Sequence, residues 1–248
     1  MFIFYKISEK IDEKRRIKTS VIALEIYLEM CYNRNTKLGG FCMKVILVNG
    51  SPKEKGCTYT ALCEVEKALR ANGVETEIFW LGKDALAGCI GCGACGKTGK
   101  CFRGDCVNDF VEKAKDADGF VFGSPVHYAA ASGALTSFMD RAFFSGKKYL
   151  LGKPAAAVVS CRRGGASAAF DQINKYFTIS CMPVVSSQYW NQVHGSVPED
   201  VLKDEEGLQT MRTLGNNMAW LLKCIEAGKA AGIGFPALET PIKTSFIR

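Results

Sequence analysis

Residues 43–62 read MKVILVNGSPKEKGCTYTAL, and this stretch decides the fold class. The apolar run from Lys44 to Val48 predicts a buried β-strand, and the apolar spacing that follows Thr58 predicts a helix. Between them lies a polar loop that contains Asn49-Gly50-Ser51-Pro52. A buried strand that leads through a polar loop to a helix N-terminus can bind an anion, because backbone N–H groups without helical partners face the loop.

Side chains of this loop add hydrogen-bond donors to those backbone groups. Ser51, Thr58 and Thr60 carry hydroxyls, and Lys53 carries a positive charge. The loop has no G-x-G-x-x-G pattern, so it is not shaped for the pyrophosphate of a dinucleotide. Hydroxyls in place of glycines suit a single terminal phosphate, as on a mononucleotide. An ordinary loop between strand and helix is the alternative for this stretch alone.

Strands and helices are predicted to alternate from Met43 onwards. Apolar strands that alternate with helices predict an α/β domain with a doubly wound, five-stranded parallel sheet and helices on both faces. Ligands of such a sheet bind beyond the carboxyl ends of its strands. The strands are predicted at 44–48, 75–80, 119–123, 155–160 and 183–186, and the helices at 58–72, 107–115, from about 132, at 164–177 and from Pro198 to about 227.

The domain is predicted to span 43–228, with a tail at 229–248 and an extension at 1–42. The extension contains a charged run at 11–16 and a possible helix at 21–31. Met43 stands directly before the first strand, and we expect it to be the natural start, with the extension absent from the native protein. The alternative is a genuine N-terminal helix that packs on the domain or on a partner.

The composition is that of an ordinary globular protein, with 48% hydrophobic and 23% charged residues. The net charge of +7 is a mild excess that suits anionic small molecules better than nucleic acid. We expect no membrane partner, because no apolar run is long enough to span a bilayer. Twelve cysteines in a chain without an export signal predict a cytoplasmic protein with reduced thiols or a metal site.

A cysteine-rich segment follows the second predicted strand with the spacing C-x2-C-x2-C-x5-C. Thiolates at this spacing in a glycine-rich loop can surround one inorganic centre. The spacing is tight for the two knuckles of structural zinc and closer to cubane iron–sulfur ligation. We favour an iron–sulfur cluster, with zinc and a metal-free loop as alternatives, and interpret Cys106 as a spare thiol. The predicted metal ligands are Cys89, Cys92, Cys95 and Cys101.

The same segment also matches two nucleotide-binding patterns. Residues 91–98 fit both G-x-x-x-x-G-K-T and G-x-G-x-x-G. Either pattern indicates a phosphate loop only between a strand and a helix N-terminus. Residues 81–88 do not read as a strand and residues 99–104 do not read as a helix, so we reject both interpretations.

Two further loops follow predicted strands. In the first, Ser124-Pro125-Val126-His127-Tyr128, Tyr128 offers stacking area to a flat heteroaromatic ring and His127 a titratable donor. In the second loop, residues 160–165, two glycines allow the backbone to approach a ligand closely. An arginine of this loop could stabilise the negative charge of a reduced cofactor. Either loop alone could be a plain connection. Together with the loop after the first strand, they are expected to meet at one edge of the sheet.

The helix after the first of these loops is predicted to begin at Ser132, whose hydroxyl suits an N-cap. The neighbouring Asp140 and Arg141 on this helix are interpreted as a structural pair.

These residues resemble the NADPH-dependent FMN reductase branch of the flavodoxin-like superfamily. The likeness rests on Gly50-Ser51-Pro52-Lys53 with Thr58, on residues 124–128 and on Arg163-Gly164-Gly165, and it covers about 43–227. The cysteine run is similar to that of the iron–sulfur flavoproteins within that branch. The chain departs from the family at Lys53 and Cys57, where the family often carries Arg and Asn.

The resemblance implies a flavodoxin-like fold that binds FMN at the carboxyl edge of the sheet. It also implies a homodimer or a homotetramer, with cofactors near subunit interfaces. The implied phosphate site comprises Ser51, Lys53, Cys57, Thr58 and Thr60. The implied isoalloxazine contacts are Pro125, Val126, His127, Tyr128, Ser160, Arg163 and Gly164.

The sequence thus predicts an FMN-dependent oxidoreductase, with NAD(P)H as a possible donor and a small molecule or a protein as redox partner. The four cysteines would hold a 4Fe-4S cluster that relays electrons. His127 and Arg163 are the candidates for tuning the flavin during catalysis. The alternatives are a non-catalytic electron carrier and a zinc-stapled α/β binding domain.

Overall fold

The computed structural model describes residues 43–242 and residue 244. The extension predicted at 1–42, with its possible helix, lies outside these residues. The last helix ends at Ala230, and residues 231–242 contain neither helix nor strand.

The described residues form one six-stranded sheet, which confirms the predicted fold class. Its strands are β1 (Lys44–Asn49), β2 (Glu75–Trp80), β3 (Gly119–His127), β4 (Ala130–Ala131), β5 (Ala155–Cys161) and β6 (Gln192–His194). Five of them are parallel in the order β2-β1-β3-β5-β6, while the short β4 pairs antiparallel with the end of β3. The strand order reverses between β1 and β3, which is the position where doubly wound sheets bind ligands.

The prediction of the fifth parallel strand at 183–186 was wrong. This segment makes only an isolated bridge between Val184 and Ala155. The chain then leaves the sheet and returns at β6, where Val193 pairs with Ser160. The pairing with β5 begins at Asn191, whose backbone carbonyl accepts a hydrogen bond from the Val159 N–H at 2.9 Å.

The two faces of the sheet pack against different helices. Along β1, Ile46 and Val48 face one apolar cluster, and Val45 and Leu47 face the other. This alternation explains why the strand reads as a continuous apolar run. Among the described residues, the helices on the first face are α3 (Cys106–Lys113), α4 (Gly133–Ser145) and α6 (Ala166–Ile179). The helices on the second face are α1 (Cys57–Ala71) and α8 (Glu205–Ala230). Three short helices complete the described part of the chain: α2 (Ala94–Thr98), α5 (Lys147–Leu150) and α7 (Pro198–Val201).

The long helix predicted to begin at Pro198 is two helices. Helix α7 stops at Val201, and α8 begins after Asp204, whose carboxylate accepts from the Gly207 N–H at 3.0 Å. None of the helices in the described part of the chain is both long and apolar enough to span a membrane.

Candidate functional site

A hollow of about 290 Å³ lies beyond the carboxyl ends of β1, β3, β5 and β6, and we call it the sheet-edge hollow. Four separate loops contribute to it, which is the convergence expected for a doubly wound sheet. It is lined by Ser51, Pro52, Lys53, Cys57, Thr58, Pro125, Val126, His127, Ser160, Cys161, Arg162, Gly195 and Ser196.

The loop after β1 is shaped by hydrogen bonds within itself and to β3. The Gly50 N–H donates to the Gly123 carbonyl at 2.8 Å. The Asn49 carboxamide accepts from the Ser51 N–H at 3.1 Å and donates to the Glu54 carbonyl at 2.9 Å. The Ser51 hydroxyl in turn accepts from the Lys53 N–H at 3.1 Å. These bonds fix the loop before any ligand arrives.

The N-terminus of α1 completes this side of the hollow. Within the described residues, no side chain caps this helix and its first turn carries no acidic residue. Cys57 and Thr58, the first two residues of α1, line the hollow, so the positive end of the helix dipole lies there. The Thr60 hydroxyl instead donates back to the Gly56 carbonyl at 3.2 Å.

The floor of the hollow joins α1 to β5. The hydroxyl oxygens of Thr58 and Ser160 are 2.8 Å apart, and both residues are at least 96% buried. In such a pair one hydroxyl donates to the other, which leaves the second proton free for a ligand. Gly123 lies beneath Thr58, where an added Cβ would be 2.9 Å from the Thr58 methyl group. A side chain at this position would therefore press on Thr58 and on the floor of the hollow.

The charged side chains that line the hollow are basic. Lys53 and Arg162 line it together with His127, and no acidic residue of the described chain lines it. Burial raises the pKa of the Cys57 thiol, which donates to the Gly195 carbonyl at 3.6 Å. Burial likewise raises the pKa of Cys161. Both thiols are therefore neutral at pH 7, and the hollow favours an anion.

Strand β3 continues four residues beyond its predicted end at Gly123. This extension carries Pro125, Val126 and His127 into the hollow. The chain then reverses through Tyr128 and Ala129, whose φ angles are 51° and 59°. Positive φ values in residues other than glycine store strain and concentrate at functional sites.

Eight of the twelve predicted cofactor residues line the sheet-edge hollow, and four do not. Tyr128 is fully exposed, and Arg163 and Gly164 are exposed beside the lining residue Arg162. The fourth is Thr60, whose hydroxyl is used inside α1. The eight are Ser51, Lys53, Cys57, Thr58, Pro125, Val126, His127 and Ser160.

Sequence reasoning missed Gly195 and Ser196, which also line the hollow. They follow β6, the strand whose position was predicted wrongly. The signal available in the sequence was a Gly-Ser pair directly after the Gln192-Val-His run.

A second hollow, of about 80 Å³, lies in the segment between β2 and α3, and we call it the cysteine hollow. Within residues 43–242, no three Cys, His, Asp or Glu side chains are arranged to hold a metal ion. The cysteines therefore share one hollow, although their sulfurs do not converge on a centre. All four predicted ligands line it: Cys89, Cys92, Cys95 and Cys101.

Glycines give this segment its curvature. Gly91, Gly93 and Gly99 have φ angles of 65°, 70° and 72°, a region that other residues rarely adopt. Gly93 and Gly99 enclose the short helix α2, in a segment that was interpreted as a glycine-rich loop. Cys89 and Cys92 are exposed on this curve.

Cys101 is held more firmly than the other three cysteines. Its N–H donates to the Asn108 carboxamide oxygen at 2.8 Å, and the Asn108 amide donates back to the Cys101 carbonyl at 2.8 Å. Its sulfur accepts from Nε and Nη2 of Arg141 at 3.3 and 3.2 Å. Arg141 lies on α4, 40 residues further along the chain.

Arg141 pairs with Asp105, not with its neighbour Asp140. Both guanidinium–carboxylate distances are 2.7 Å. The hydrogen bonds to Asp105 outweigh burial and raise the pKa of Arg141. Burial acts to raise the pKa of Asp105, but hydrogen bonds from Arg141 and the Val107 N–H outweigh it and hold this pKa below its ordinary range. The Asp140 carboxylate instead accepts from the Tyr176 hydroxyl at 2.6 Å.

Helix α4 connects the two hollows. Its N-cap is Ser132, as predicted, whose hydroxyl accepts from the Leu135 N–H at 3.2 Å. The same hydroxyl donates to the Gly50 carbonyl of the loop after β1 at 2.8 Å. Arg141 lies nine residues further along, which corresponds to about 14 Å of helix.

Comparison with known proteins identifies the family of the chain. Residues 43–195 match the model of a family described as NADPH-dependent FMN reductase. An iron-sulfur flavoprotein of Methanocaldococcus jannaschii is 36% identical over 194 residues, which cover 74% of this chain and 100% of that protein. Another iron-sulfur flavoprotein of the same organism is 30% identical over 196 residues, or 73% of this chain and 98% of that protein.

The fold has solved counterparts. A structure described as a flavodoxin from the domain Archaea superposes with a TM-score of 0.51 at 17% identity, and covers 73% of this chain and 99% of that one. At this identity the likeness extends to the fold alone.

Proposed function

We propose that the sheet-edge hollow binds FMN, because the chain belongs to the NADPH-dependent FMN reductase and iron-sulfur flavoprotein family. The chain is therefore a flavin-dependent oxidoreductase. We further propose that the four cysteines that line the cysteine hollow hold a four-iron four-sulfur cluster, which relays electrons. When bound, FMN supplies one- and two-electron chemistry and the cluster supplies one-electron chemistry. The donor would be NAD(P)H or a reduced protein partner.

The loop after β1 fits the phosphate of FMN. The N-terminus of α1 supplies backbone donors and a favourable dipole, while Lys53 supplies a positive charge. The proton left free in the pair of Thr58 and Ser160 supplies one more donor. A terminal phosphate accepts such bonds on several oxygens at once.

The other end of the hollow fits the ring. Pro125 and Val126 offer an apolar edge, and His127 offers a ring N–H donor. Arg162 lines the hollow where Arg163 was predicted, so Arg162 is the better candidate for steadying negative charge. The residues of this chain thus bind and orient the cofactor, and none of them needs to act as a nucleophile.

The donor set of the cysteine hollow fits a cluster. It offers four thiols and no carboxylate among the residues that line it in the described chain. Soft thiolates select iron–sulfur clusters or zinc over hard cations. A cluster would require the exposed Cys89 and Cys92 to move toward Cys101, because the sulfurs do not converge among the described residues.

The strongest structural support for an electron relay between the two cofactors is the helix that the two hollows share. Ser132, at the start of α4, bonds to the loop after β1, and Arg141, on the same helix, bonds to Cys101. The distance between these residues along α4 is about 14 Å. One rigid element therefore sets the separation of the two proposed cofactors.

Cofactor analysis of protein prepared without oxygen tests the proposal. We expect about one FMN and about four iron and four sulfide per chain, with flavin absorbance over a broad cluster band. Cys92→Ser should lose most of the iron and keep its FMN, whereas Cys224→Ser, which changes an exposed cysteine on α8, should keep both. Zinc in place of iron, or protein that takes up neither cofactor, would contradict the proposal.

A further inference from the structure

We infer that Arg141 raises the reduction potential of the proposed cluster through its bonds to the Cys101 sulfur, and that Asp105 limits this effect. The inference rests on the proposed function, because it requires a cluster on the four cysteines. Arg141 would act through Cys101 as a positioning and tuning residue.

The four cysteines have unequal surroundings. Cys89 and Cys92 are exposed, and the Cys89 sulfur receives one backbone N–H, from Gly91, at 3.5 Å. The Cys101 sulfur receives two guanidinium N–H groups at 3.2 and 3.3 Å. Hydrogen bonds to ligand sulfur and nearby charge are two of the means by which proteins set cluster potentials. We therefore expect the surroundings of Cys101 to affect the reduction potential of the cluster more than those of Cys89 and Cys92.

The charge beside that sulfur is only partly neutralised. The Arg141 side chain is 1% exposed, whereas the Asp105 side chain is 31% exposed. Water therefore screens the carboxylate more than the guanidinium, and the guanidinium lies directly against the sulfur. A positive charge in a low-dielectric site stabilises whichever state of its neighbour is more negative. Here that is the reduced cluster.

Arg141 also joins the two ends of the cysteine segment. Its Nη1 donates to the Ala87 carbonyl at 3.3 Å, before the first ligand, and its other bonds reach Cys101 and Asp105. A purely structural role would thus change how much cluster the protein holds and leave the potential of the retained cluster unchanged. The potential is the measurement that separates the two roles.

The test is an anaerobic redox titration of the holoprotein, followed by optical and electron paramagnetic resonance spectra. Arg141→Gln should make the cluster harder to reduce, with an equilibrium constant lowered about tenfold, or ~59 mV for one electron. Arg141→Lys keeps the charge and should shift the potential less. Asp105→Asn should shift it upward, and asparagine can still cap α3. Lys97→Gln, which removes an exposed charge from the same segment, should leave it nearly unchanged.

Iron, sulfide and FMN are measured on every sample. Potentials of Arg141→Gln and Asp105→Asn that stay within the shift of Lys97→Gln would overturn the inference. Loss of the cluster from both variants, with FMN retained, would also overturn it, since the pair would then only hold the loop. Wild-type protein without iron would instead refute the proposed cluster, and the inference would fall with it.

Discussion

Replacing Gly123 with alanine tests how the floor of the sheet-edge hollow is built. The new Cβ would lie 2.9 Å from the Thr58 methyl group and 2.9 Å from a Leu62 methyl group. Carbon atoms pack best at about 3.5–4.0 Å, so the Thr58 and Leu62 side chains, or α1 with them, must shift by several tenths of an ångström. Overpacking of this kind costs about 1–3 kcal/mol. We expect that loss in urea unfolding of the apoprotein, together with weaker FMN binding measured by quenching of flavin fluorescence.

Two companion variants make this prediction specific. Gly119→Ala changes the same strand, but its nearest contacts would be 3.3–3.4 Å away, and we expect it to cost less than about 1 kcal/mol. Thr58→Ser removes the methyl group and keeps the hydroxyl. Combined with Gly123→Ala it should restore part of the loss, with a coupling energy of about 1 kcal/mol. Equal losses at Gly123 and Gly119, or no coupling with Thr58, would refute the steric account.

Three further predictions concern single side chains. Thr58→Val should leave the buried Ser160 hydroxyl without its partner and cost about 1–3 kcal/mol in urea unfolding, whereas Thr58→Ser should lose only the buried methyl group, or about 0.8 kcal/mol. Lys53→Gln should weaken FMN binding about tenfold and flatten its salt dependence in fluorescence titrations; an unchanged dissociation constant would place the phosphate elsewhere. Asp105→Asn should be less stable than wild type at pH 7. Because the folded pKa of Asp105 lies below its ordinary value, this difference should be full above about pH 4 and shrink as the pH falls further. A stability difference that is constant from pH 7 to pH 2.5 would contradict a lowered pKa for Asp105.

The first four parallel strands could be predicted because their signal is local. Strands β1, β3 and β5 contain apolar runs that the sheet buries on both faces. Strand β2 lies at the edge of the sheet, and its Ile-Phe-Trp end is half-buried. The three loops of the hollow followed from those strands, since the carboxyl ends of parallel strands share an edge. The family likeness rests on these same loops, and the comparisons confirm it.

The missed features depend on contacts that are distant in sequence. Strand β6 has only three residues, and its pairing with β5 defines it more than its own pattern does. Arg141 stands beside Asp140 in the sequence, but its partner Asp105 lies 36 residues earlier. Spacing alone also could not decide which of Arg162 and Arg163 lines the hollow, because adjacent loop residues project in different directions.

In the arrangement proposed for this protein, one helix, α4, separates an FMN site from a cluster site. A crystal structure of the reconstituted holoprotein, with anomalous data collected at the iron edge, measures this most directly. We expect an iron peak enclosed by Cys89, Cys92, Cys95 and Cys101, and a flavin phosphate between Ser51 and Thr58. Iron bound away from these sulfurs, or a flavin whose phosphate lies outside the loop after β1, would contradict this arrangement.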